Sequence, residues 1–509
     1  MGAPKMNAVV YVAMTSVVLG AAPAAAQERT AYADIRPRPQ QSYGQTVDRI
    51  MKYILENVEK NQYWQKNNTI RDGSGNLRPP YFFYAREGLE VSFPAFHHAY
   101  FIISFLQYWV YSGDERALRR AEDLAEWNIA NSTPKDAQYP HLPYSTATKG
   151  RPGGSWDRDT VMSDKPGYMG LAYLQLFRAT GKKAYLEAAE RIGETLAKLQ
   201  TPEGNWPFRF NPNTGKVVEP YTSNAVPCLM LLDQLDELAS RVRYAEPRKK
   251  ALRWMLDNPV KTMNWTGFYE DVAPGRHSVG NWSTLDTARY LVARRADDAS
   301  FLASAIALKN WVEKTFVKKI RVGGETAEGV GEQSVYMYVM AGHTGHLAQL
   351  LVDLYRATAD ETYRTRTLQM VNGMTYYLGG DGRIGMALDN RTFWFSCHIS
   401  VVPQFLEIMG EFPETAPVAE SHLLKTSAAV TAIKYEPRSV RYATDAEGTA
   451  VLKLATKLVR VTANGKELPS GDGVKSGWHF NADSGVLRLR HDKGEVRVDL
   501  EASAPAAAK

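Results

Sequence analysis

From Gln45 to Glu411 the chain is written in helix-length segments whose apolar residues recur three and four positions apart. The first is "QTVDRIMKYILENVEKNQ", and the later ones come in pairs such as "PAFHHAYFIISFLQYWVYSGDERALRRAEDLAEWNIA" and "SDKPGYMGLAYLQLFRATGKKAYLEAAERI". Six of the predicted helices, beginning near Phe93, Lys165, Thr222, Trp282, His343 and Phe395, are apolar nearly all round, as suits helices buried on every side. The other six carry charge on one face, as solvent-facing helices do. The two kinds alternate strictly. Helix pairs of this sort can build an open solenoid. Here an unpaired outer helix opens the series and an unpaired inner helix ends it, which favours closure into an (α/α)6 toroid.

Connection lengths single out one face of that toroid. Inner-to-outer turns are short ("SGDE", "TGKK", "TADE"), whereas outer-to-inner connections are long: residues 63–92, 132–164, 200–221, 258–281, 317–342 and 379–394. All six long loops therefore lie at the N-terminal ends of the inner helices, and long structureless loops in a compact domain usually carry function. The same helix ends point partial positive charge at that face, which favours an anionic ligand. After Pro413 the period changes to two, with turns at "ANGK" and "HDKGE". The pattern predicts a toroid domain over 27–412, a small C-terminal β-sandwich over 425–503, and a loose tail "ASAPAAAK".

The N-terminus adds a compartment. Lys5 precedes the apolar run "NAVVYVAMTSVVLG", and Ala24-Ala25-Ala26 supplies an A-x-A cleavage site, so residues 1–26 read as a signal peptide, with Met6 an alternative start. The run is too short to span a bilayer. The expectation is a secreted or periplasmic protein with no membrane segment in its mature form. Cys228 and Cys397 both fall in apolar helical patterns, which suits buried thiols better than a bridge. No cysteines and histidines have zinc spacing, so neither a metal nor a cofactor is expected. The net charge of +6 suits an acidic substrate but is too diffuse for nucleic acid.

The candidate chemistry sits in the first turns of the inner helices, where packing alone would place leucine or valine. In chain order these turns offer His97 and His98; Asp164, Lys165 and Tyr168; Glu219, Tyr221 and Asn224; Asn281, Trp282 and Asp286; His343 and His346; Trp394, Cys397 and His398. The loops add Asp157, Arg158 and Asp159 in "GSWDRD", Trp206 and Arg209 in "GNWPFRF", Glu270, Asp271, Arg276 and His277 in "GFYEDVAPGRH", and Glu328, Glu332 and Tyr336 in "EGVGEQSVYMY". Each has a structural alternative. Asp164, ahead of Lys165-Pro166, makes a good helix N-cap. Asp286 follows Ser283 by three residues, the spacing of a capping box, and capping is the preferred reading there. His97 and His98 are adjacent and cannot both face one cavity. His343 and His346 can share a face but lack a third metal ligand. Aromatic rings stack on sugars, Asn and Asp bind hydroxyls, and Arg158, Arg209 and Arg276 are suited to clamping a carboxylate. The set describes a site for a polysaccharide or oligosaccharide, in part acidic, such as one containing uronic acid.

On these residues the chain resembles the six-hairpin, (α/α)6 carbohydrate-enzyme superfamily of glycoside hydrolases and polysaccharide lyases, over roughly residues 45–411. "SDKPGYMGLAYLQLFRATGKKAYLEAA" is similar to the "HDxGF…TGxxxYxxxA" segment of unsaturated glucuronyl and rhamnogalacturonyl hydrolases, and the resemblance places Asp164 on an active-site aspartate of theirs. Those enzymes carry an acid at the start of the third inner helix, where "YTSNAVPCL" has Tyr221, and their "WxRGxxW" segment is absent here. Three readings follow. Glycoside hydrolysis needs two carboxyls across the scissile bond, with Asp164 as one and Glu219, Glu270, Asp271 or Glu332 as the other. A lyase removes the proton α to a uronate carboxylate, work suited to Tyr221, Asn224, His277 and His343. A non-catalytic glycan-binding protein is the third. Further substrate contacts fall to His97, Trp206, Trp282, Tyr336 and His398. The plentiful carboxylates put hydrolysis first.

Overall fold

The computed structural model describes residues 37–39, 41–57, 84–86, 89–91, 94–145, 160–239, 242–268, 279–334, 337–380, 382, 384, 395–471 and 476–502. The expected signal peptide, Asp157, Arg158, Asp159, Glu270, Asp271, Arg276, His277, Tyr336 and Trp394 lie outside these residues, as do the side chains of Cys397 and His398.

The described helices alternate as the apolar pattern requires. The outer set is α1 (Tyr43–Lys52), α3 (Glu115–Ala130), α5 (Lys183–Leu199), α7 (Ala245–Met255), α9 (Ser300–Phe316) and α11 (Glu361–Met374). The inner set is α2 (Ala99–Ser112), α4 (Asp164–Thr180), α6 (Ala225–Ala239), α8 (Trp282–Ala293), α10 (Ala341–Thr358) and α12 (Phe395–Glu411). Each inner helix packs on the next, and α12 packs back on α2, so the ring closes and the open solenoid is excluded. The short inner-to-outer turns are built from caps. Gly113 and Gly181 end α2 and α4 at φ of +74° and +72°, and Asp114 then starts α3 by accepting the Arg116 N–H at 2.9 Å. Helices α4 and α6 approach closely because Gly167 presents no side chain. A Cβ there would meet the Cys228 nitrogen at 2.7 Å. Cys228 is a buried free thiol that donates to the Ser163 carbonyl.

Four of the long connections are not structureless. The first holds the strand pair β1 (Tyr84–Arg86) and β2 (Leu89–Val91); β3 (Val161–Met162) of the second joins β4 (Pro207–Phe210) and β5 (Val217–Thr222) of the third in one three-stranded sheet, and β6 (Val317–Val322), β7 (Glu325–Gly331) and β8 (Val339–Met340) form another in the fifth. Strands β3, β5 and β8 run directly into α4, α6 and α10, so both sheets stand on the face where the loops were expected to gather. Short strands of mixed burial leave too weak a period-two signal to separate from loop.

The C-terminal residues from His422 to Leu500 form two antiparallel sheets, one in the order β10 (Val430–Glu436), β11 (Ser439–Thr444), β17 (Gly494–Leu500), β13 (Leu458–Ala463) and β14 (Lys466–Glu467), the other in the order β15 (Gly477–Asn481), β16 (Val486–His491), β12 (Gly448–Lys453) and β9 (His422–Thr426). Burial alternates along β11 (Ser439–Thr444) and β17 (Gly494–Leu500), as the sequence alternation predicts. The sheets pack on the opposite face of the ring, at the C-terminal ends of the inner helices. There the His422 ring stacks on Tyr111 at 4.0 Å, Tyr435 Oη donates to the Val110 carbonyl at 2.7 Å, and Arg178 pairs with Asp445 at 2.8 Å.

Candidate active site

Four inner helices converge on one carboxylate. Asp286, one turn into α8, accepts from Tyr168 Oη (α4) at 2.5 Å and from Asn224 Nδ2, just before α6, at 2.7 Å, both on Oδ2. His346 Nε2 (α10) meets Oδ1 at 3.1 Å. The phenol oxygen in turn lies 3.2 Å from Trp282 Nε1 and 3.3 Å from Asn224 Nδ2. A carboxylate has about four lone-pair positions, so three donors fix its orientation and leave one for a substrate or water. Burial first, and then the negative charge of Asp286, push the Tyr168 phenol well above its ordinary range, so Tyr168 keeps its proton and donates it.

Aromatic rings frame this network. Phe96 meets Tyr100 and Tyr168 edge-on at 4.8 and 5.5 Å, and Trp282 lies 4.3 Å from the His346 ring and 5.0 Å from that of His343. His343 is buried, with Nδ1 2.8 Å from Asn281 Oδ1. Asn281 Nδ2 faces the carbonyls of Gly331 and Glu332, so its oxygen faces the ring and His343 is the Nδ1–H tautomer. Burial, with a smaller contribution from His346, pushes His343 down to about 3. The unfolded chain therefore takes up a proton near the usual value of about 6.5 that the folded protein refuses, and stability falls as pH drops from there toward 3. Replacing His343 with Asn is expected to remove up to about 1.4 kcal/mol per pH unit from that acid slope. Urea midpoints of both proteins between pH 4 and 8 check this, and equal slopes would contradict it.

Asp164 is the first residue of α4 and not its cap. The N-cap is Ser163, whose hydroxyl donates to the Pro207 carbonyl. The Asp164 N–H donates to Ser223 Oγ at 3.0 Å, and its carboxylate pairs with Lys165 Nζ at 3.0 Å. That ammonium also lies 4.2 Å from the centre of the Phe96 ring, which ties Asp164 to the aromatic frame. His97 is buried against Phe96, whereas His98 turns outward to Asn128 at 2.7 Å and to the Trp127 ring, so of the adjacent pair His98 is structural.

Other expected site residues take different roles. Arg209 is almost wholly buried and paired with Glu219 across β4 and β5, so neither is available as a substrate clamp or a lone acid. Burial raises the Glu219 carboxyl even with Arg209 beside it. Trp206 is fully buried and donates its indole N–H to the Leu196 carbonyl, which makes it core and not a stacking platform. Tyr221 lies on β5 with its ring against Phe208, and burial followed by the Glu219 charge raises its phenol. Glu332 is buried at the end of β7, with its carbonyl on Asn281. The structure thus gathers His97, Asp164, Tyr168, Asn224, Trp282, His343 and His346 from the first-turn set, and it puts Asp286, for which capping was the preferred reading, at their centre. The capping box expected at Asp286 does not form, because Ser283 is already inside α8.

A cavity of about 350 Å³ opens from this network, between Tyr100, Tyr168, Trp282, Asp286 and His346, and continues along the toroid axis to Lys425 and Val430 of the C-terminal sheets.

No family model matches the chain, and no curated protein sequence matches it. Solved structures share the fold. A GH76 α-mannanase from Bacteroides thetaiotaomicron superposes with a TM-score of 0.51 at 12% identity, over 73% of this chain and 96% of its own. A D-mannose isomerase gives 0.51 at 13% identity, over 72% and 96%. A family 76 glycoside hydrolase from a bovine Bacteroides thetaiotaomicron strain gives 0.50 at 11% identity, over 72% and 77%. At these identities the likeness establishes the six-hairpin toroid. The neighbours' different chemistries mean that the reaction must be argued from the site.

Proposed function

We propose that this protein is a carbohydrate-active enzyme that hydrolyses a glycosidic bond in a uronic-acid-containing glycan, acting outside the cytoplasm. The observation that carries the reading is Asp286, a carboxylate held by three donors from three other inner helices beneath an aromatic frame. A carboxylate oriented in this way is placed to activate water or to stabilise an oxocarbenium-like transition state. The Asp164–Lys165 pair, bound to the same frame, is the proton reserve for the leaving oxygen. Trp282 and Tyr100 offer ring faces for a sugar. Arg209 is committed to Glu219 and Lys165 to Asp164, so the acidic character of the substrate rests on Arg158 and Arg276. Toroid neighbours that act on sugars are in keeping with this reading.

One observation favours β-elimination as a second reading. A phenol, an amide and an imidazole (Tyr168, Asn224, His346) are the groups that would abstract an α-proton and neutralise a uronate. Replacing Tyr168 with Phe separates the two. Under hydrolysis it removes one hydrogen bond to Asp286, and activity is expected to fall roughly 10- to 100-fold. Under elimination it removes the proton donor to the leaving oxygen, and activity disappears. The wild-type products decide independently. New reducing ends without the ultraviolet absorbance of an unsaturated uronate support hydrolysis, and absorbance rising in step with them overturns it.

A further inference from the structure

The inner helices are apolar nearly all round, yet each places a long polar side chain in the wall of the axial cavity at a similar depth. They are Gln107 on α2, Gln175 on α4, Gln234 on α6, Arg289 on α8, Gln349 on α10 and Gln404 on α12. All six fall roughly two to three turns below the start of their helices, so they form a ring at one depth, beneath Asp286. Core packing does not call for this, since leucine at such positions would fill the axis without any polar group to satisfy.

The ring's own hydrogen bonds do not use up its capacity. Gln404 Nε2 donates to the Gly342 carbonyl at 2.7 Å, while its buried Oε1 has no partner among the described residues. Gln349 Nε2 is spent on Glu407 at 2.7 Å, which leaves its carbonyl oxygen. The side chains of Gln107 and Gln175 make no hydrogen bond to any described residue. The charge of Arg289 is met by Asp353 and Glu407. What remains is the amide capacity of Gln107, Gln175, Gln349 and Gln404, beside charged groups that are paired with one another, which matches hydroxyls and not a carboxylate or phosphate. The volume of about 350 Å³ falls within the usual range for small-ligand pockets, roughly 300–1,000 Å³. The lower end is walled by Lys425, Ala428 and Val430 from β9 (His422–Thr426), β10 (Val430–Glu436) and the turn between them.

We propose that the axial cavity is the subsite for an uncharged terminal sugar residue of the glycan, and that the enzyme consequently works from a chain end. A cavity that runs down the toroid axis from Asp286 to the C-terminal sheets receives a chain end lengthwise. The sugar's hydroxyls meet the glutamine ring, its ring lies below Trp282, and the bond to the next residue is at the level of Asp286. This rests on the reading of the Asp286 network as a glycan-cleaving centre.

The test combines direct binding with product analysis. Free glucose, mannose, galactose and glucuronate are titrated by calorimetry into the wild type, Asp286→Asn, and the double variant Gln107→Leu/Gln175→Leu. The expected result is that one neutral sugar binds wild type and Asp286→Asn alike, binds the double variant at least tenfold more weakly, and outcompetes glucuronate. Digestion is expected to release a single small product from its first minutes. Met230→Trp, which fills the cavity from an apolar wall position, supplies the same loss of binding should the double variant fail to fold. No binding by any neutral sugar, unchanged binding in both variants, or an early ladder of internal fragments would overturn the proposal. The two readings fail separately. If Asp286→Asn still cleaves while the cavity variants lose sugar binding, the catalytic reading falls and the subsite stands. If Asp286→Asn is inert but the cavity variants bind and cleave as wild type does, the subsite falls alone.

Discussion

Asp286→Asn is expected to lower kcat on the true glycan by roughly 100- to 10,000-fold, the span usual for removing a general acid or base. The thermal midpoint should shift by no more than a few degrees. The amide oxygen can still accept from Tyr168 and Asn224, and its NH2 group then faces His346, which accommodates it by giving up the Nε2 proton. Because the substitution keeps shape and removes only charge and basicity, KM should move far less than kcat. Steady-state rates on the identified substrate, with a melting curve for each protein, check this. A variant within about threefold of the wild-type kcat would remove Asp286 from the chemistry and return attention to Asp164 and Lys165. Rate loss accompanied by a large drop in midpoint would mean that the carboxylate serves the fold and not the reaction.

Why Asp286 was the residue hardest to read from sequence is instructive. "NWSTLDTARYL" contains a serine three positions before an aspartate, and local spacing of that kind usually marks a helix start. The helix begins one residue before that serine, so the aspartate turns inward instead. Its partners come from residues 118, 62 and 60 positions away, and no local rule registers contacts of that range. The toroid was legible for the opposite reason. Alternation of all-apolar with one-faced helices is a property of each segment by itself, and burial on the ring's inside dictates it. Asp164, Asn224, Trp282 and His343 were legible as polar residues at the starts of buried helices. Arg209 and Trp206 were misplaced because a loop position says nothing about whether a side chain turns into a hairpin's core. The hairpin that buries them, β4 with β5, has the sequence pattern of a loop. The five glutamines and Arg289 of the ring stand one to a helix in the sequence, but a shared depth emerges only once the helices are assembled.

Arg289→Met is expected to produce the largest loss of stability, about 3–5 kcal/mol, the cost usual for stripping one partner from a buried ion pair. Arg289 Nε binds Asp353 at 2.6 Å and its Nη2 meets both Glu407 oxygens at 3.1 Å. Arg356 reaches the same two carboxylates and also Glu411, which Lys425 of β9 holds at 2.8 Å. The cluster thus ties α8, α10 and α12 to the C-terminal sheets, and methionine would fill the volume but leave two buried carboxylates sharing one guanidinium. Burial pushes Glu407 up, but Arg289 and Arg356 outweigh it and hold its carboxyl below the usual range. In the wild type that stabilisation is present above the unfolded value of about 4.3 and is lost as pH falls through the folded one. In the variant the carboxyl rises, because one of the charges that depressed it is gone. The deficit should therefore be greatest near pH 8 and shrink toward pH 5 as Glu407 takes up a proton. Neutralising the partners as well, in Arg289→Met/Asp353→Asn/Glu407→Gln, should recover most of the loss, since the cost lies in orphaned charge and not in missing contacts. Urea unfolding of the three proteins at pH 5 and pH 8 distinguishes the possibilities. A single-variant deficit under about 1 kcal/mol, or one indifferent to pH, would mean that water reaches the cluster and that the helices are held together by their apolar faces alone.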